Sequence, residues 1–109
     1  MKFKTLLLGL GRIASTLEKD VLRYHPCTHA GVLFSNFGKK HFELTAVYDT
    51  DEEAILDFYK QWKLKPGTVK STLADIKKEK FDLAVIASSS EAQFENAKFA
   101  ISLGLKNLL

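Results

Sequence analysis

The sequence predicts a single α/β domain built on a parallel β-sheet. Short apolar segments alternate along the chain with segments whose apolar residues recur at helical spacing. Two of the short segments, residues 6–8 and 83–87, are apolar at consecutive positions, as strands buried on both faces of a sheet are. A length of 109 residues suits one domain and is too short for two of ordinary size, so residues 1–109 are predicted to form one unit.

The composition excludes several classes of protein. Hydrophobic residues make up 46% and charged residues 27% of the chain, which is typical of globular proteins rather than disordered or fibrous ones. The net charge of +3 arises from 16 basic and 13 acidic residues scattered along the sequence. Lys77, Lys78 and Lys80 cluster without interleaved aromatic residues, so a solvated helix end is favoured and no nucleic-acid partner is expected.

The location expected from the sequence is cytoplasmic. No apolar run approaches the length of a membrane span, and the apolar N-terminal stretch is interrupted by Gly9, Gly11 and Arg12 without a recognisable cleavage site. We therefore expect no membrane partner. The single cysteine, Cys27, excludes an internal disulfide and fits a reducing compartment.

The first half of the chain predicts two strands separated by a helix and a loop. A strand ending at Leu8 is followed by an apolar stripe over residues 12–24, which predicts a helix with Ile13, Leu17, Val21 and Tyr24 on its buried face. Residues 25–41 break this period and are interpreted as a long loop. Residues 42–48 then read as the second strand.

The second half continues the alternation. Thr50 and Glu53 resemble a capping box that opens a helix, whose apolar face is Ala54, Ile55, Phe58, Tyr59 and Trp62. Residues 68–70 supply at most a short third strand, and Ser71 or Thr72 caps a brief helix carrying Leu73 and Ile76.

The last elements complete the predicted sheet. A fourth strand over residues 81–87 is followed by a helix over residues 91–103, which is expected to bury Phe94, Ala97, Ala100 and Ile101 and to end at Gly104. Residues 105–109 begin a fifth strand. Right-handed crossovers then give a doubly wound parallel sheet in the order 3-2-1-4-5, with helices on both faces.

The point at which the first strand ends carries the strongest motif. It reads Gly9-Leu10-Gly11-Arg12-Ile13-Ala14, a Gly-x-Gly-x-x-Ala pattern between a strand and a predicted helix. Gly9 permits a sharp turn, and Gly11 lets a pyrophosphate approach the backbone because it has no Cβ. The amides of Arg12 and Ile13 would face an anion at a helix N-terminus. This context predicts a dinucleotide-binding, Rossmann-like domain.

Asp49 follows the second strand, where an acidic residue in such domains accepts hydrogen bonds from the adenosine ribose. The alternative is that Asp49 only opens the next helix. A carboxylate at this position would repel a 2′-phosphate, and Thr50 and Asp51 supply no cation to hold one. NAD is therefore expected in preference to NADP.

Ser88 and Ser89 follow the fourth strand and would face the same crevice as Gly9. Their hydroxyls could line the path of the pyrophosphate and the nicotinamide ribose. The plainer interpretation is that this serine run caps the next helix, and both roles can coexist.

Together these motifs resemble the N-terminal nucleotide-binding domain of the glucose-fructose oxidoreductase / inositol dehydrogenase (Gfo/Idh/MocA) family. The resemblance lies in the glycine turn, in Ala46-Val47-Tyr48-Asp49 and in residues 81–88, and it covers nearly the whole chain. It implies an NAD-dependent oxidoreductase acting on a sugar-like or polyol substrate. By the same resemblance the cofactor-binding residues are Gly9, Leu10, Gly11, Arg12, Ile13, Asp49, Ser88, Ser89 and Gln93.

The sequence also departs from that family. Ser88-Ser89 replaces the common Thr-Pro, Gln93 takes the place of a histidine, and residues 26–31 form an insertion. The family continues into a Glu-Lys-Pro segment, with a catalytic lysine, and a substrate domain, whereas this sequence ends at Leu109. The expectation is a domain of a larger oxidoreductase whose substrate half is not in this chain, and no catalytic residue is predicted here.

Other functions remain open at this point. One is a nucleotide-binding regulatory module without catalysis, and another is a methyltransferase, which also places an acid on a ribose. Cys27 with His25, His29 and His41 matches no standard zinc spacing, so no metal site is predicted. An exposed sheet edge, or a face that a second domain covers in the family, favours a homo-oligomer.

Overall fold

The structure, a computed structural model, describes residues 1–109. Three parallel strands form its sheet: β1 at Phe3–Leu8, β2 at Phe42–Tyr48 and β3 at Leu83–Ile86. The order is β2-β1-β3, so β1 is central and pairs with both neighbours. The protein is thus a small α/β protein with a parallel sheet, and β3 is the strand that the sequence predicted as the fourth.

Helical segments connect and cover these strands. No helix is both long enough and apolar enough to traverse a membrane. The segments are a 3-10 helix at Thr16–Lys19, α1 at His29–Phe34, α2 at Asn36–His41, α3 at Glu52–Gln61, α4 at Leu73–Lys78 and α5 at Ser90–Ser102.

The central strand supplies both halves of the hydrophobic core. Successive side chains of a strand point to opposite faces, so Leu7 enters one cluster while Leu6 and Leu8 enter the other. All three leucines are fully buried. The first cluster includes Phe58 of α3, and the second includes Ile76 of α4 and further residues of α5.

The helix after β2 agrees with its predicted face. Phe58 is buried, and Ala54, Ile55, Tyr59 and Trp62 pack against the first cluster. Its N-cap differs from the prediction, because Asp51 and not Thr50 occupies that position. The Asp51 carboxylate accepts a hydrogen bond from the Glu53 amide at 3.0 Å.

The sheet is narrower at its edges than the sequence predicted. Residues 68–70 contribute a single parallel bridge from Lys70 to Ala46, and residues 105–109 contribute one from Leu108 to Ala84. The Lys70 amide donates to the Thr45 carbonyl at 2.9 Å, and the Leu109 amide to the Ala84 carbonyl at 2.9 Å. Both outer segments lie beside the expected neighbours, but each forms a single bridge and not a continuous strand.

The predicted helix over residues 12–24 is wrong. Only a 3-10 helix at Thr16–Lys19 forms there, preceded by turns. The Thr16 amide donates to the Gly11 carbonyl and the Leu17 amide to the Arg12 carbonyl, five residues back in each case. Ile13, Val21 and Tyr24, which were expected to be buried, are exposed.

The predicted loop over residues 25–41 is also corrected, because it contains α1 and α2. Thr28 accepts a hydrogen bond from the Gly31 amide at 3.0 Å, and Ser35 accepts one from the Gly38 amide at 3.1 Å. Both are standard N-cap contacts. The glycines that suggested a loop instead occupy crowded helix positions, since a Cβ on Gly38 would lie 2.0 Å from the Val32 carbonyl oxygen.

The last helix packs on the sheet only partly as predicted, because Ala100 is buried as expected but two of the other expected residues are not. Phe99, Ala100 and Leu103 pack into the second cluster, whereas Phe94 and Ile101 are exposed. The sequence carries two apolar stripes on this helix, and the period alone does not say which one packs. The end was predicted correctly, because Gly104 has a φ of +87° just past the helix.

Candidate functional site

A cleft of about 520 Å³ lies at the carboxyl ends of the three strands. In an open parallel sheet this is where ligands bind, beside the strand from which connections run in opposite directions. The volume falls within the usual range for small-molecule sites. The cleft is lined by Gly9, Gly11, Arg12, Ile13, Tyr48, Asp49, Thr50, Ala87, Ser88, Ser89, Ala92 and Asn96.

Gly9 makes the turn out of β1 while packed directly against the chain that leaves β3. Its φ of +96° lies in the left-handed region, and a Cβ there would lie 2.7 Å from the Ser88 nitrogen and 2.8 Å from the Ala87 carbonyl carbon. The Gly9 amide donates to the Tyr48 carbonyl at 2.8 Å, and the Ala87 amide to the Leu8 carbonyl at 2.8 Å. Gly9 therefore joins the ends of all three strands at the floor of the cleft.

The next segment presents amides to the cleft. The N–H groups of Gly11, Arg12 and Ile13 donate to no other group of the protein. The first turn-closing bond instead runs from the Ser15 amide to the Gly11 carbonyl at 3.0 Å. A Cβ added to Gly11 would meet no atom within 4 Å, so the backbone there borders open space. Three adjacent free amides form a site suited to an anion.

The charged side chains of the lining are Arg12 and Asp49. Arg12 is exposed and forms no salt bridge, so its guanidinium can move over the amides of the turn. Asp49 is partly buried at the end of β2. The cleft therefore has a cation beside the glycine turn and an anion at the neighbouring strand end.

Asp49 braces the turn as well as lining the cleft. Its Oδ2 accepts from the Leu10 amide and its Oδ1 from the Asp51 amide, both at 2.9 Å. Each carboxylate oxygen can accept a second hydrogen bond, so two acceptor positions remain. Leu10 itself does not line the cleft, because it is buried at 2% exposure and its amide is held by Asp49.

The serines after β3 have different environments. The Ser88 hydroxyl accepts a hydrogen bond from Asn96 Nδ2 at 2.8 Å. Ser89 is the N-cap of α5, but its side chain makes no capping bond, so its hydroxyl is free at the cleft wall. Gln93 is exposed and does not line the cleft, and its side-chain amide donates to the Ser88 carbonyl at 3.3 Å.

Sequence analysis missed several lining residues. Asn96 and Ala92 lie one helical turn apart on α5, and the spacing of four residues from Ser88 through Ala92 to Asn96 was the available signal. Tyr48, Thr50 and Ala87 directly flank predicted site residues in the chain. Seven of the nine predicted residues line the cleft, whereas Leu10 and Gln93 do not.

Ser15 anchors the segment after the glycine turn to α3. Its hydroxyl accepts from Trp62 Nε1 at 2.7 Å and donates to Gln61 Oε1 at 3.0 Å. Gln61 Nε2 in turn donates to the Ser15 carbonyl at 3.0 Å. Since Ser15 is only 1% exposed, these bonds fix the far end of the turn in place of the absent helix.

A scan against protein-family models gives no match to this chain, and neither does a search of curated proteins.

Replacing Gly9 with alanine should destabilise the fold. The new Cβ would collide with backbone at residues 87–88, and a left-handed conformation alone costs about 1–2 kcal/mol. We expect the free energy of unfolding to fall by more than about 2 kcal/mol in urea denaturation followed by Trp62 fluorescence. Gly11→Ala is the matched control, with an expected change within about 0.5 kcal/mol. Equal losses in the two variants would contradict the packing described for Gly9.

Proposed function

We propose that this chain binds NAD through the cleft, as the nucleotide-binding domain of an oxidoreductase similar to the Gfo/Idh/MocA family. The observation that carries the proposal is the row of three free amides at Gly11, Arg12 and Ile13. They border the cleft close to the carboxylate that ends the neighbouring strand. An anion at one end and a polyhydroxylated sugar at the other are the groups that such a cleft suits.

The wider fold proposal is a Rossmann-like sheet in the order 3-2-1-4-5. Two parallel bridges support this order. Lys70 pairs with Ala46 of β2, and Leu108 pairs with Ala84 of β3, which are the edges where the two outer strands would lie. In this proposal each of the two outer strands is reduced to one bridging residue, Lys70 on one edge of the sheet and Leu108 on the other.

The glycine turn is proposed to hold the pyrophosphate. Free amides there can each donate a hydrogen bond to a phosphate oxygen, and the open space at Gly11 lets the phosphate approach the backbone closely. The unpaired Arg12 guanidinium adds a positive charge that can reach the same group. No atom of the protein has to move to make room at Gly11.

Asp49 is proposed to accept from the adenosine ribose hydroxyls. Its two remaining acceptor positions match two adjacent hydroxyl donors, and its bonds to the Leu10 and Asp51 amides fix its orientation. A 2′-phosphate at the same place would meet this negative charge, which favours NAD over NADP. The lining residue beside it, Thr50, is uncharged.

Ser89 is proposed to contact the nicotinamide ribose side of the ligand, because its hydroxyl is free at the wall formed by α5. Ser88 and Asn96 hold each other and shape that wall. Bound NAD would supply hydride acceptance, and a sugar-like or polyol substrate is the proposed donor. Ser88, Ser89 and Asn96 would contribute by orienting the bound cofactor.

Gly11→Ala should weaken NAD binding without weakening the fold. The added methyl group would occupy space proposed for the pyrophosphate, whereas it meets no protein atom. We expect at least about a tenfold rise in the Kd for NAD by isothermal titration calorimetry. An unchanged urea midpoint is the control. A wild-type chain that binds no NAD would refute the proposed function, and equal affinity in both forms would place the phosphates elsewhere.

Asp49→Asn should weaken NAD binding and reduce the preference over NADP. Asparagine removes the negative charge and one acceptor atom, which together are worth about tenfold or more in affinity. The matched control is Asp51→Asn, which removes the same charge two residues away and keeps a good N-cap for α3. Titrations with NAD and NADP should change for the first variant only. Tighter binding of S-adenosylmethionine than of NAD would instead indicate a methyltransferase.

A further inference from the structure

A second group of ligating side chains lies outside the cleft. It comprises Glu18 on the 3-10 helix and His25 and Cys27 on the connection to α1. One ligand atom from each lies within 4.8 Å of the others, and Glu18 Oε2 is 3.8 Å from His25 Nε2. None of the three lines the cleft, so the group has no part in the proposed nucleotide site.

The Glu18 carboxylate is held in a fixed orientation. Its Oε1 accepts from the Cys27 amide at 2.6 Å, the Thr28 amide at 2.8 Å and the Thr28 hydroxyl at 2.9 Å. The side chain is 11% exposed, and a Cβ on Gly31 would lie 2.0 Å from Oε1. With Oε1 saturated, Oε2 is the oxygen that remains free, and it is turned toward His25.

Burial and hydrogen bonding shift the pKa values of Glu18 and Cys27 in opposite directions. Burial raises the pKa of the Glu18 carboxyl. The hydrogen bonds from Cys27 and Thr28 and the nearby His25 lower it by more, so the pKa of Glu18 lies below its ordinary value. The pKa of the Cys27 thiol is instead raised, by burial and by the neighbouring Glu18 carboxylate, so a metal ion has to displace the thiol proton. Outer hydrogen bonds of this kind also orient ligating carboxylates in metal sites.

We propose that Glu18 Oε2, His25 Nε2 and Cys27 Sγ bind one divalent transition-metal cation of the zinc class. Thiolate, imidazole and carboxylate are the donors that zinc takes. Two anionic ligands and one neutral ligand balance the charge of a divalent cation. Three protein ligands leave a fourth position of a tetrahedral site open to water or an external ligand.

The distances require only small movements. Zinc-ligand bonds of about 2.0–2.3 Å place the ligand atoms of a tetrahedral site roughly 3.3–3.7 Å apart. The observed 3.8 Å between Glu18 Oε2 and His25 Nε2 is already close to this, and each of the three residues offers one ligand atom within 4.8 Å of those of the other two. His25 and Cys27 can supply the remaining contraction, because the His25 side chain is 38% exposed and Cys27 is half-buried.

Binding exchanges one bond of the thiol for another. In the metal-free chain Cys27 Sγ donates to the Leu17 carbonyl at 3.4 Å. When the sulfur-metal bond forms, the thiol proton passes to solvent and the hydrogen bond to Leu17 is lost. No oxidant or reductant takes part in this step.

Cobalt provides the test, since Co²⁺ occupies zinc sites and its thiolate bond gives a charge-transfer absorption in the near ultraviolet. The full chain, kept reduced, is titrated with Co²⁺ and then with Zn²⁺. We expect one equivalent of Co²⁺ to produce the band and Zn²⁺ to abolish it. Cys27→Ser should remove the band, and His25→Gln should weaken Co²⁺ binding at least about tenfold.

The matched controls are His29→Gln and His41→Gln, which remove the same residue type from the same segment of the chain. Both should keep the band and the affinity of the wild type. The proposal is overturned if the wild type gives no thiolate band, or if a control variant loses as much affinity as His25→Gln. NAD titration of Cys27→Ser should match the wild type, so failure of this site is distinguishable from failure of the cleft.

Discussion

The structure depends on the burial of β1 between two parallel neighbours. Leu6, Leu7 and Leu8 are completely inaccessible and alternate into two separate hydrophobic clusters, so a single strand supports the helices on both faces. Its carboxyl end must therefore emerge at a fixed position between Tyr48 and Ala87. The glycine turn follows directly and is therefore held at the same position. The cleft forms because three strand ends meet there.

The cleft and the Glu18 group illustrate two ways in which a short polypeptide orients polar groups. In the cleft, Asp49 bonds to backbone amides of its own loop and of the glycine turn, which fixes it relative to both strands. In the second group, Glu18 bonds to Cys27 and Thr28 and thereby holds the connection before α1. Both oxygens of Asp49 bond to the backbone and each keeps one acceptor position, whereas in Glu18 only Oε1 is used in this way and Oε2 faces His25.

Local patterns in the sequence predicted the three strands of the sheet and the positions of the glycine turn and of Asp49 at the strand ends, because those features depend on consecutive residues. Features set by distant contacts were not predictable in this way. The segment after Gly11 does not continue as a helix, since Ser15 is bound to Gln61 and Trp62 and Glu18 turns toward residues 27–28. The packed stripe of α5 was likewise ambiguous, because Phe94 and Phe99 are equally apolar and only the sheet selects between them.

The bond between Trp62 and Ser15 has an optical consequence. Trp62 is the sole tryptophan of the chain, and its indole nitrogen donates to the residue that ends the glycine turn. A shift of that turn would change the polarity around the indole ring, and with it the wavelength and quantum yield of the tryptophan fluorescence. The emission of Trp62 thus reports on the position of the glycine turn without any attached dye.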